Sequence, residues 1–259
     1  MMQLGLGILL SVVLGFVINY LSDVLPSVNR LSRPVCTHCN NSLTWSEFLL
    51  FKKCPNCGTP KTIRSWVVII SMIGFSILFW FFPMSRLGFW ISVLLVAYFE
   101  VIFVIDIEHR LIFIWVCIIG IVAAIPLGVW LRYSNPKISS NLLQSLGLTL
   151  LGGVAGFLVM LAIYYLGVLF NRITSHLRKT AMEEEAFGYG DVLVSAVIGL
   201  ILGWPGVLAA ILVAILLGGL FSSIYMAVKS AKKNYQAFTA IPYAPFLILG
   251  TIILLYLAK

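Results

Sequence analysis

Long, nearly unbroken apolar runs constrain this chain more than any other feature. A helix needs about 20 apolar residues to cross the hydrocarbon core of a bilayer. Eight runs approach that length: 3–21, 66–82, 88–105, 111–131, 143–169, 190–203, 205–228 and 240–258. The sixth is short enough to be a half-span. Of the 259 residues, 61% are hydrophobic and only 10% charged, against about a quarter charged in soluble domains. Lipid must therefore cover most of the surface. The fold class expected is an all-α polytopic membrane protein with about eight transmembrane helices. The first run has no basic residue before it, unlike a cleaved secretory signal, and is read as a retained helix.

The net charge of +8 invites a nucleic-acid reading, but its distribution argues otherwise. Lys and Arg gather in cytoplasmic loops and so orient membrane proteins. With the N-terminus outside, the cytoplasmic segments hold Arg30, Arg33, Lys52, Lys53, Lys61, Arg64, Arg110, Arg172, Arg178, Lys179, Lys229, Lys232 and Lys233. Only Arg86, Arg132, Lys137 and Lys259 fall outside. The excess is topological, and no nucleic-acid partner is expected.

A polar insertion follows the first span and contains four of the five cysteines, as Cys36-Thr-His-Cys39 and Cys54-Pro-Asn-Cys57-Gly58. Two CxxC turns fourteen residues apart suit a tetrahedral zinc site, each turn aiming two thiolates at one ion. So small a segment has little core, and the metal would supply its folding energy. Disulfides are disfavoured where thiols are kept reduced. His38 is surplus to a four-cysteine shell, and Cys117 reads as a small core residue. The chain thus divides into a first helix (1–21), a cytoplasmic zinc-binding insertion (22–65) and a seven-helix membrane domain (66–259).

The sequence has three aspartates. Asp106 ends the third span and Asp191 begins the sixth, in Gly188-Tyr-Gly190-Asp191. Carboxylates at membrane depth are costly and usually functional. In the orientation above, the third helix delivers Asp106 to the cytoplasmic end and the sixth starts there with Asp191. Two close carboxylates share a proton. One can then accept a proton from water while the other polarises a carbonyl, which is the chemistry of peptide hydrolysis without a metal. Gly188 and Gly190 allow a turn at the helix entry and close approach of a substrate strand.

Together these residues resemble the type IV prepilin peptidases over nearly the whole chain. Gly15-Phe-Val-Ile-Asn19 with Leu25-Pro26, the double cysteine knuckle, Asp106-Ile-Glu-His-Arg-Leu-Ile112, Gly188-Tyr-Gly-Asp191, Leu202-Gly-Trp204 and Ile241-Pro-Tyr-Ala-Pro-Phe246 occur in the family's order. The resemblance implies an aspartyl endopeptidase of the bacterial inner membrane, with its active site near the cytoplasmic face. Its substrates would be prepilin or pseudopilin precursors bearing a short basic leader. It also implies methylation of the new N-terminus with S-adenosylmethionine. Phe113, Leu193, Val24, Ser65-Trp66 and Ile69 stand where the family usually has proline, lysine, arginine, tyrosine-proline and glutamate. These departures spare the aspartates and cysteines and touch the methyl-transfer half.

Glu108 beside Asp106, and Glu183, Glu184 and Glu185 before Asp191, are candidate contacts for a basic leader, although charge runs are more often simply solvated. Asn19 is a candidate for a hydrogen bond between helices. Three other readings stay open. The aspartates could bind ions in a transporter, the CxxC pairs could serve a thiol oxidoreductase, or the chain could be a non-catalytic relative.

Overall fold

A computed structural model of the protein describes residues 2–84, 86–135, 138–178, 188–231 and 242–257. These form α1 (Met2–Val28), α2 (Trp45–Leu49), α3 (Ile63–Phe81), α4 (Gly88–His109), α5 (Ile114–Tyr133), α6 (Leu142–Arg178), α7 (Tyr189–Leu202), α8 (Gly206–Ala231) and α9 (Ala244–Leu257). Among the described residues the pairing of extended chain is limited to a bridge between Val35 and Ser42. The protein is an all-α polytopic membrane protein. Six helices, α1, α3, α4, α5, α6 and α8, are long and apolar enough to cross a bilayer.

The other two apolar helices fall short over the described residues. Both α7 and α9 have 14 residues and extend about 21 Å at 1.5 Å per residue. Sequence reading anticipated this for the first of them and expected a full span for the second. Two helices also outrun their apolar stretches. α1 continues seven residues past the expected boundary at 21, through Pro26, and α6 continues to Arg178. Proline in the last turn of a helix removes only one backbone bond there.

The chain divides into two compact units, Met1–His109 and Arg110–Lys259. In the first, α1 packs on α3 and α4, and α3 on α4. Asn19, 1% exposed, does what its sequence suggested: its Nδ2 donates to the Ser65 carbonyl on α3 and to Gly15, both at 3.0 Å. A Cβ on Gly15 would press on Ile69, so α1 and α3 meet closely at this level. An ion cluster closes the polar end of the unit. The side chain of Asp23 is fully buried and accepts from Lys61 Nζ at 2.7 Å and from Arg64. Arg64 also reaches Glu108 Oε2 at 2.9 Å, tying α1, the start of α3 and the end of α4 together.

In the second unit α6 and α7 pack main chain to main chain. A Cβ on Gly152 would overlap the carbonyl of Gly199, and one on Gly199 would overlap that of Gly152. Beside them Ser195 Oγ donates to the Gly156 carbonyl at 2.8 Å. α5 lies against both helices, and α8 and α9 pack on each other and on α7.

Candidate active site

Asp191 occupies the first turn of α7 and is 5% exposed. Gly188 precedes the helix as its N-cap, and its N–H donates to Asp191 Oδ2 at 3.2 Å. The unpaired backbone N–H groups of a helix start favour negative charge there. Neither glycine of the motif takes a left-handed φ. At Gly190 the reason for glycine is space, because any Cβ would overlap the side chain of Ile112. Gly188 has an ordinary extended backbone, and a Cβ there would come no closer than 3.7 Å, to Asp191 Oδ2.

Asp106 lies in the last turn of α4, also 5% exposed, behind Val104 and Ile105. Two residues on, Glu108 is exposed and ion-paired with Arg64, with His109 Nε2 at 3.9 Å. Each aspartate is thus held inside its own unit, at a helix end that carries the polar residues of that segment. Glu183, Glu184 and Glu185 lie outside the described residues.

The four cysteines converge. Their sulfurs all lie within 4.8 Å of one another, with Cys36–Cys57 and Cys39–Cys54 at 3.7 Å. A disulfide needs about 2.05 Å, and all five cysteines are free thiols. A tetrahedron with Zn–S bonds of 2.3 Å has edges of about 3.8 Å, which the two pairs match. The two knuckles repeat one turn. Asn40 N–H donates to the Cys36 carbonyl and Gly58 N–H to that of Cys54, each at 2.9 Å. Both turn residues sit at positive φ, 54° and 69°, where asparagine and glycine are the residues best tolerated. The Thr59 hydroxyl, 2.8 Å from Cys57 Sγ, holds that thiol below its ordinary pKa and favours the thiolate a metal takes. These residues could hold a metal ion. His38 is exposed, as expected of a residue surplus to the shell.

Arg132 is the residue that sequence reading missed. The charge pattern puts it in an outer loop, but it lies inside α5 and is 5% exposed. Its Nη1 donates to the Gly128 carbonyl at 2.6 Å, Thr149 Oγ1 at 2.9 Å and the Leu200 carbonyl at 3.2 Å, and its Nη2 to the Ile201 carbonyl at 3.3 Å. The last carbonyls of a helix lack partners within it. Arg132 supplies them for α7, the helix that begins with Asp191. Removing it orphans buried acceptors at about 1–3 kcal/mol each. Arg132→Met should therefore lower the thermal stability of the purified protein, and Arg132→Lys should fall between it and the parent. Identical melting of all three would remove the capping role.

Helices of bilayer length that enclose acidic side chains define a polytopic membrane protein with polar chemistry at its helix ends. The sequence model of the Type IV leader peptidase family matches residues 91–223, just over half the chain and inclusive of both aspartates. The chain belongs to the type IV leader peptidase family: it is a membrane protease, and its substrate is a protein. The chain has no significant match among curated proteins or among solved structures. The cysteine cluster lies outside the matched stretch and rests on its own geometry.

Proposed function

We propose that the protein is an aspartyl endopeptidase of the bacterial cytoplasmic membrane that removes the basic leader of type IV prepilin-like precursors. Asp106 and Asp191 would be its catalytic pair. The observation that carries the reading is the burial of both carboxylates, each 5% exposed at a helix end, within the stretch that identifies the family. Chain connectivity is consistent with the pairing: two bilayer-length helices, α5 and α6, separate the end of α4 from the start of α7, and if both cross, the two helix ends would belong to the same face of the membrane.

In this mechanism the pair holds one proton between its members. The ionised carboxylate accepts a proton from a water as its oxygen attacks the scissile carbonyl carbon. The protonated carboxyl donates a hydrogen bond to the carbonyl oxygen, which takes up the negative charge. The tetrahedral intermediate then collapses, the C–N bond breaks, and a carboxyl proton passes to the leaving nitrogen. Gly188 N–H orients Asp191 through Oδ2. Gly190 keeps the entry of α7 against Ile112.

Zinc is the metal proposed for Cys36, Cys39, Cys54 and Cys57, in a structural role that folds the insertion. Glu183 to Glu185 would supply negative charge for the basic leader, with Glu108 contributing only in competition with its Arg64 partner. Methylation of the new N-terminus with S-adenosylmethionine is the further half of the reading, supported by the resemblance of the cysteine insertion to that of methylating family members.

Co-expression with a precursor carrying a basic leader before an apolar helix tests the proposal. A smaller product on a gel is expected, with a new N-terminus at the leader boundary by mass spectrometry. The added mass of a methyl group on that N-terminus would establish the second activity. A precursor of unchanged size would end the peptidase reading for that substrate class.

A further inference from the structure

We propose that the tip of the cysteine insertion, Leu49 to Phe51 followed by Lys52 and Lys53, is a foot that enters the adjoining lipid leaflet and binds anionic phospholipid. The inference rests on the membrane character of the chain alone. The ion cluster of Asp23, Lys61, Arg64 and Glu108 marks where the polar level of the first unit lies. Phe16 is seven residues back along α1, about 10 Å deeper at 1.5 Å per residue. Its side chain also leans toward the N-terminus, still deeper. Phe51 nevertheless stacks on Phe16 at 5.5 Å and lies tilted against Trp66 at 4.7 Å between ring centroids. The insertion therefore doubles back past the charged level, along the outside of α1 and α3.

What the tip presents there is apolar. Leu50 is 66% exposed and Leu49 45%; Val17 and Val67, next in sequence to the two residues that Phe51 touches, are exposed as well. Phe51 takes φ of 50°, a conformation costly for a bulky residue and kept only where its surroundings hold it. The rings of Phe16 and Trp66 do so. The tip thus continues the lipid-facing surface of α1 and α3. Lys52 and Lys53 follow it at once and are exposed. Lysines so placed lay their stems along apolar surface and lift their ammonium groups to the headgroups, where an anionic leaflet attracts them. Depth, continuity with lipid-covered helices and charge all fit a lipid occupant better than a protein one.

The test uses the full chain in nanodiscs of phosphatidylcholine and phosphatidylglycerol. With a benzophenone amino acid in place of Leu50, irradiation should yield acyl-chain adducts by mass spectrometry. The same probe at exposed Asn56, in the second knuckle, should yield none. Equal labelling at both sites, no lipid adduct at Leu50, or adducts there only with an added prepilin-like peptide would each overturn the foot. In native mass spectrometry, Lys52→Gln with Lys53→Gln should lower retention of phosphatidylglycerol relative to phosphatidylcholine by about fivefold per lysine. The glutamate pair should lose more. An unchanged lipid preference in both pairs would overturn the anionic selectivity.

Discussion

Asp106→Asn and Asp191→Asn are each expected to lower precursor cleavage by about 10²–10⁴-fold, the range that a general acid or base contributes. Asparagine keeps the shape of the side chain and removes only its ability to exchange a proton. Both aspartates are buried, so a neutral replacement of equal size adds no desolvation cost, and the variants should accumulate in the membrane as the parent does. The two acids are proposed to act as one unit, and residues of that kind do not add. The double variant should therefore be no slower than the worse single one. Processing that survives either change at the parent rate, or a double variant whose defects multiply, would sink the paired mechanism.

Stripping the metal should have the second-largest effect. Structural zinc in small cysteine domains contributes apparent binding energies of about 10–16 kcal/mol at neutral pH, far more than the small cluster of Cys36, Leu43 and Cys54 can supply by burial. The purified, reduced protein should carry zinc in a one-to-one ratio. Cys54→Ser or a strong chelator should bring that ratio near zero and open the loop between the knuckles to trypsin at Lys52 and Lys53. The spanning helices, which bury their own faces, should resist the same treatment. A folded, reduced sample without metal would show that the four thiols meet for another reason.

The parts of this molecule that a sequence can show are those written in local pattern. Hydropathy gave the spans because each helix needs lipid-compatible side chains along its own length. The knuckles were legible because both turns and all four cysteines fall within 22 residues, Cys36 to Cys57. Asn19 stood out as an amide in an apolar run. Arg132 was misplaced because its partners, Leu200 and Ile201, lie 68 and 69 residues away. At the end of an apolar run, an arginine that caps a neighbouring helix looks the same as one facing water. Asp23 was passed over for the same reason, since its cations are 38 and 41 residues on. The described part of α9 is shorter than its apolar run because such a run sets only the greatest extent of a helix, while Pro242 and Pro245 shape its start.

The contact of bare backbone between Gly152 and Gly199 has a mechanical consequence. Interfaces that mesh through long side chains can slide, because rotamers rearrange to follow. Here there are no side chains to rearrange, and the carbonyls sit where any added atom would collide. α6 and α7 must therefore travel as one stiff body, so any adjustment that would admit a polypeptide to Asp191, the proposed catalytic residue, falls to the parts of the protein that can still yield.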